Sequence, residues 1–291
     1  MTSAGLLTAD RDRAGGSSVS LVSAMRGERV SGGTYGWLLP LILGCLSLSW
    51  AGCAKKAPLL EPAHLPVAPI LERLDERRAS LSGFRASGTL RLEGRGRQWS
   101  GRALVLTKFP HRLRLELLNF FGQPVLYVVS DGEEVITWMP GENASRGFAL
   151  GKVIATFTSL PVQDDEAMLL LAGAVPAFEH REAQLFRDAQ EGGFLLSLED
   201  QATGEVERVW LEEDATTVRR LQRIQKGSSL LDATFSEFTE ADGFAYPREV
   251  KLDVAGGVQL ALRYQVFVPN ASLDDKVFHL ELPPGVKVLP Q

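Results

Sequence analysis

The chain has 291 residues, 45% of them apolar and 23% charged, a composition that can bury a core and excludes an intrinsically disordered chain. With 31 Lys and Arg against 36 Asp and Glu the formal net charge is −5, so no basic surplus is available for a nucleic-acid backbone. The only two cysteines, Cys45 and Cys53, both fall in the leading segment.

The opening MTSAGLLTADRDRAGGSSVSLVSAMRGERVSGG carries no sustained apolar period and reads as disordered. A second methionine, Met25, precedes Arg26 and Arg29, and the apolar run GTYGWLLPLILGCLSLSWAGC, broken by Pro40, follows. A basic start, an apolar middle and a small-residue exit at Ala51-Gly52 read as a secretory signal, with Met25 an alternative start. A single membrane anchor is the competing reading, but the run is short for the ~20 residues a span needs. Ala51, Gly52 and Cys53 resemble the lipobox of bacterial lipoprotein signals, in which the cysteine after the cut receives lipid. Trp50 departs from that pattern, where an aliphatic residue is usual, and Cys45 is a competing site inside the apolar run. A diacylglycerol thioether plus an N-acyl chain at Cys53 would anchor stably. Ala54 after it resembles an outer-membrane address facing the periplasm. Removal of residues 1–52 leaves 27 basic and 33 acidic residues and no cysteine for a disulfide or a thiolate nucleophile.

Residues 53–69, proline-rich, read as an extended tether after the lipid. In ILERLDERRASL, Ile70, Leu71, Leu74 and Leu81 recur at helical spacing among charges, predicting one amphipathic helix of about three turns. From Gly83 the period becomes two. FRASGTLRL, QWSGRALVLTK, HRLRLELL, QPVLYVVS and EEVITWM alternate as strands, with GRGR a turn and Asp131-Gly132 a hairpin signal. GKVIATFTSL and DDEAMLLLAGAVP predict one or two short helices, with Asp164, Asp165 and Glu166 at the start and Gly173 as the stop. The alternation resumes near Ala183 and runs to Val268. In the last strand Val258, Leu260, Leu262, Tyr264, Val266 and Val268 are expected to face one way. The expected fold is mainly β: one domain over residues 70–291, a half-open antiparallel β-barrel of about eleven strands with helices covering the mouth.

Motifs for chemistry are missing. His64, His111, His180 and His279 have no partner at metal-ligand spacing, so no metal is expected. There is no Gly-x-Ser-x-Gly elbow and no phosphate loop. Asp164-Asp165-Glu166 and Asp274-Asp275 read as helix-start acids, and Asn143-Ala-Ser145 and Asn270-Ala-Ser272 match a glycosylation sequon by chance. No cofactor other than covalent lipid is expected, and no enzyme activity.

The informative stretch is LRLELLNFFGQPVLYVVSDGEEV. Phe120 and Phe121 sit beside Gly122 and Pro124 where two strands are joined, a place normally small or polar. Exposed, they need an acyl chain, a bilayer or a protein as partner; alternatively the turn folds back and packs them beneath the helices. With KFPHRLRLELLNFFG, DGEEV, LLAGAVP and VFHLELPPGVKV in this order, residues 71–288 resemble the LolA/LolB superfamily of lipoprotein carriers and receptors. The resemblance implies a half-open barrel with a helical lid, and a hydrophobic cavity that binds the acyl chains of lipoproteins or lipids. It also implies a loop, here Phe120, Phe121 and Gly122, that helps deliver cargo to the membrane, and a periplasmic LolA-like carrier as partner. Candidate cavity-lining residues are Leu113, Leu115, Leu117, Val125, Tyr127, Trp138, Trp210, Leu260, Leu262 and Tyr264, with Val135, Phe194, Leu196 and Phe235. An envelope protein-interaction or assembly module on the same scaffold is the alternative.

Overall fold

A computed structural model of the chain describes residues 60–94, 96–152, 163 and 165–290. The leader, Cys53 and Asp164 lie outside the described residues, as does most of the helix expected over GKVIATFTSL, of which residues 151 and 152 are described and helical. In chain order the described elements begin with β1 (Leu60–Pro62), α1 (Ala68–Ala79), β2 (Gly83–Gly94), β3 (Arg97–Lys108) and β4 (Arg112–Leu118). Next come β5 (Pro124–Asp131), β6 (Val135–Trp138), β7 (Ala144–Gly147), α2 (Glu166–Leu171), β8 (Glu182–Asp188) and β9 (Phe194–Asp200). The chain closes with β10 (Glu205–Leu211), β11 (Val218–Gln225), β12 (Ser228–Ala241), β13 (Phe244–Val254), β14 (Val258–Pro269), a 3-10 turn (Asp275–Phe278) and β15 (Val288–Pro290).

These fifteen strands form one open sheet in the order β1-β8-β9-β10-β11-β12-β13-β14-β2-β3-β4-β5-β6-β7-β15, with β1 and β15 as its edges. Two meanders, β2 to β7 and β8 to β14, are stitched together where β14 pairs antiparallel with β2. Among the described strands only β15 runs parallel to its neighbour, β7. The strands beyond the expected eleven include β1, β7 and β15, each three or four residues long and too short to show an alternation. β1 lies within the segment read as a tether; its backbone satisfies the otherwise bare edge of β8, with Leu60 opposite Asp188.

The register fixes which side chains share a face. On β2, Phe84, Ala86 and Leu90 point inward, and the pairing carries that face to Val105 and Ala103, then to Leu115 and Leu117. It continues on the other side through Leu262 to Val250 and Phe235. These inward residues form a single buried apolar cluster, with Leu115 half-buried against it. Three expected lining residues face the other way. Tyr127 pairs with Glu116 and Trp138 with Tyr127, so both sit on the outer face, where their rings stack at 5.5 Å. Trp210 pairs with Arg220 and also faces outward, with the Arg220 guanidinium 4.7 Å over its ring. A register shift between Tyr264 and Val266 breaks the expected one-sided row of β14: Phe267 turns inward and Val266 is left 49% exposed.

The helices cover the inner face. Pro69 occupies the first turn of α1, whose fixed φ suits that position, and Arg77 and Arg78 lie in its last turn, where cations favour the helix dipole. Ile70 and Leu74 are its buried residues. Arg77 Nη2 donates to the Ala245 carbonyl at 2.5 Å and the guanidinium sits 4.6 Å over Phe244, tying α1 to the start of β13. α2 buries Met168, Leu169 and Leu170. It ends at Gly173, whose φ of +69° is open to glycine and whose α-carbon stands so close to Pro247 that a Cβ would lie 2.6 Å from the ring. On the outer face the C-terminal segment crosses β4 and β5 as a strap. Arg114 Nη1 donates to the Val277 carbonyl at 2.9 Å, Asp275 pairs with Lys108 and Arg112, and Phe278 is buried. Among the described residues no helix is long and apolar enough to cross a membrane.

Candidate functional site

Three regions carry the features from which a function can be built: the apolar hollow, a charged cluster within it, and the β4–β5 tip. In the hollow, Leu113, Leu117, Leu262 and Tyr264 are buried, and Leu115, Leu260 and Val125 are half-buried against the same cluster. Phe267, brought inward by the register shift, stacks on Phe84 at 4.9 Å and on Tyr246 at 4.4 Å, and meets Tyr264 edge-on at 5.4 Å. Burial pushes the Tyr264 phenol well above its ordinary value, so it stays protonated and donates to the Leu171 carbonyl at 2.8 Å. That bond and the contact of Gly173 with Pro247 hold the end of α2 against β13 and β14. The helices add Ile70, Leu74, Met168 and Leu170 to the same buried cluster.

Sequence reasoning missed the charged cluster. On the inward face, Glu207 of β10 pairs with Arg223 of β11, and Glu205 stands beside them. Arg223 Nη2 donates to Glu207 Oε2 at 2.8 Å, its Nε lies 3.1 Å from Glu205, and its Nη1 meets Glu166 of α2. The Phe178 ring is 5.8 Å from the guanidinium. Glu166 and Glu207 are buried, and Glu207 Oε1 meets no hydrogen-bond donor among the described residues. Burial, against the pull of Arg223, pushes the Glu207 carboxyl up to about 7. A recess of about 500 Å³ opens beside the cluster, lined by Glu166, Glu205 and Arg223 with Asp165, Phe178, Glu179, Asp200 and Thr203.

The β4–β5 tip resolves the alternatives for Phe120 and Phe121. They are 93% and 84% exposed, in edge-to-face contact with each other at 5.7 Å and not folded beneath the helices. Asn119 organises the turn: its Oδ1 accepts from Phe121 N at 3.0 Å and Gln123 N at 2.9 Å, and its Nδ2 donates to Gln123 Oε1. The Asn119 carbonyl accepts from Gly122 N, and Asn119 N donates to the Gln123 carbonyl. Gly122, at φ +79°, closes the turn. The tip therefore presents two phenyl rings on a turn in which the N–H groups of Asn119, Phe121, Gly122 and Gln123 are satisfied from within.

On the outer face Tyr127 and Trp138 line a groove of about 720 Å³ with Arg114, Lys276, His279 and Glu281. His279 Nδ1 lies 3.5 Å from Asp131, and His180 Nδ1 lies 2.9 Å from the Phe178 carbonyl. Among the described residues no cluster of His, Cys, Asp or Glu is placed to hold a metal ion. Asn270, read only as a chance sequon, adopts φ +51° and bridges elements: its Oδ1 accepts from Ser82 N at 2.7 Å and its Nδ2 donates to the Ser80 carbonyl.

No protein-family model matches the chain, and no curated protein does. Solved structures do. A DUF1329 family protein from Desulfovibrio piger is 12% identical with a TM-score of 0.50, covering 74% of this chain and 97% of the other. A LolA superfamily protein from Nitrosomonas europaea is 15% identical at 0.47, covering 74% and 98%, and an outer membrane lipoprotein-sorting protein domain from Vibrio parahaemolyticus is 12% identical at 0.42, covering 73% and 97%. At such identity the likeness to the Desulfovibrio protein speaks for the fold alone.

Proposed function

We propose that this chain is a non-enzymatic bacterial envelope protein, anchored through lipid on Cys53, that accepts acyl chains in its hollow and passes lipid or lipoprotein to the outer membrane. The observation that carries the reading is the β4–β5 tip, with two phenylalanines standing free on a self-satisfied turn. Hydrocarbon penalises each unpaired backbone group by several kcal/mol, so a tip that enters a bilayer gains from pairing its own donors, as the N–H groups of Asn119, Phe121, Gly122 and Gln123 are paired here. The hollow supports the other half of the reading. Burial of an acyl chain gains about 0.8 kcal/mol per CH₂ and needs no specific polar chemistry, only an apolar lining of the kind formed by Leu113, Leu117, Leu262 and Phe267. The lipobox-like Ala51-Gly52-Cys53 supports the anchor.

The test is twofold. Protein purified gently should carry lipid detectable by mass spectrometry, and the lipid-stripped protein should quench a fluorescent fatty acid; protein that carries and binds none refutes the hollow as a cargo site. Cys53→Ser should abolish the mass added by acylation and release the protein from the membrane fraction. A second reading, an assembly module that binds a protein through its outer face, is favoured by the groove at Tyr127 and Trp138. A stoichiometric protein partner recovered without lipid would decide for it.

A further inference from the structure

We propose that Arg223, Glu205 and Glu207 form a proton-dependent latch that holds α2, through Glu166, over the sheet. α2 reaches across the inner face: its first residue meets Arg223 on β11, and its last gives its carbonyl to Tyr264 on β14. The β14 end is a neutral hydrogen bond and the Pro247 contact, whereas the β11 end is an ion pair inside the protein. That second attachment is electrically unbalanced. One guanidinium faces three carboxylates, so with all ionised the cluster has two negative charges in excess.

Among the described residues the other charged groups lining the recess are Asp165 from the start of α2, Glu179 from the segment after it and Asp200 from the end of β9, all acidic; the basic group near them, Arg181, acts on Asp200. A proton on the cluster removes part of the excess, and the geometry shows where it belongs. Glu207 Oε2 takes the Arg223 hydrogen bond while Oε1, fully buried, has no donor, so a proton there costs no existing contact. With Glu207 neutral, Arg223 has two charged partners, Glu205 and Glu166, and the pull on α2 is strong. When Glu207 ionises, it competes with Glu166 for the same guanidinium and repels it. The raised Glu207 carboxyl places that change near neutral pH, and the sign is fixed: the latch is firm below about 7 and slack above. The role of α2 as the gate to the hollow rests on the function proposed above; the latch itself does not.

Hydrogen exchange of the full chain tests the latch without lipid. After correction for intrinsic rates, amides of Leu169 to Ala172 should lose protection at least tenfold between pH 6 and pH 8.5, while those of β2 and β3 keep theirs. Glu207→Gln should keep α2 protected at both pH values, and Glu166→Gln should leave it weakly protected at both. Equal protection in the wild type at the two pH values, a loss shared by β2 and β3, or an undiminished pH response in Glu207→Gln overturns the proposal. Should Glu207→Gln fail to fold, carbon NMR of the Glu207 carboxyl in the wild type decides: a titration midpoint more than about one unit from that of the α2 protection overturns it. Fatty-acid uptake measured alongside separates the two claims, since a pH-dependent α2 that admits no acyl chain sustains the latch and refutes the cargo reading.

Discussion

Replacing Phe120 and Phe121 together by alanine tests the tip with little risk to the fold. At 93% and 84% exposure the rings take almost no part in the core, and their edge-to-face contact is worth about 1 kcal/mol at most. Thermal stability should move by no more than a few degrees, because surface changes of this kind usually stay within about 0.5 kcal/mol. Membrane affinity should respond far more. Each phenyl transferred from water to the acyl boundary contributes about 1.5–3 kcal/mol, so the pair contributes about 3–6 kcal/mol when fully inserted. Partial insertion, at half that range, still weakens binding by at least tenfold. The assay is sedimentation with phosphatidylethanolamine and phosphatidylglycerol vesicles, using a chain that starts at Ala54 so that no acyl anchor masks the effect. Unchanged vesicle binding by the double variant, at unchanged stability, would refute insertion of the tip.

Gly173→Ala combines a left-handed backbone with a Cβ placed 2.6 Å from the Pro247 ring, so a loss of about 2 kcal/mol is expected in denaturant unfolding; a variant as stable as the parent would show that the end of α2 does not press on β13. Arg223→Met leaves Glu166 and Glu207 buried without their cation and should cost about 3–5 kcal/mol at pH 7, and less at pH 5; a neutral effect at pH 7 would show that the carboxylates are not ionised there. In the wild type, the folded protein keeps on Glu207 a proton that the unfolded chain releases at its ordinary 4.5, so this group's stabilisation is lost as pH rises from about 4.5 to about 7, by about 3 kcal/mol, and is level above. Calorimetry should show that slope in the wild type and a flatter one in Glu207→Gln; identical slopes would remove Glu207 from the account.

The sequence was legible where one face of a strand is apolar and the other is not. HRLRLELL places Leu113, Leu115 and Leu117 with the core because arginine and glutamate mark the opposite face. QPVLYVVS has no such marker: it is apolar at successive positions, so only its register against β4, with a shift between Leu117 and Leu118, decides that Tyr127 faces outward. Trp210, between the inward Val209 and Leu211, is the same case, and an arginine on the neighbouring strand makes the outer position comfortable. The bulge at Gln265 had no glycine or proline to announce it. A signal for the charged cluster did exist. In EVERVWL, Glu207 shares a parity with Val209, and in VRRLQRIQ, Arg223 shares one with Leu221, so opposite charges occupy the inward register of two adjoining strands. Asn270 carried no comparable mark, because its work is done by a backbone conformation and by partners far away in the chain.

The burial of α2 sets a length requirement on any acyl cargo that has to displace it. Lifting α2 uncovers Met168, Leu169 and Leu170, each worth about 1.5–3 kcal/mol when buried, so opening costs about 5–9 kcal/mol before the charged cluster is counted. A chain taken from water recovers about 0.8 kcal/mol per CH₂, and six to eleven methylenes are needed to offset the apolar part alone. Hexanoate should therefore fail to open the lid, whereas palmitate, with about 11 kcal/mol to give, should succeed. Titrating saturated fatty acids of increasing length against a fluorescent acyl probe should give a threshold, with affinity absent for the shortest and rising by roughly fourfold per added methylene beyond it. Equal binding of hexanoate and palmitate would mean that α2 does not have to move, and that the ligand sits on an outer groove instead.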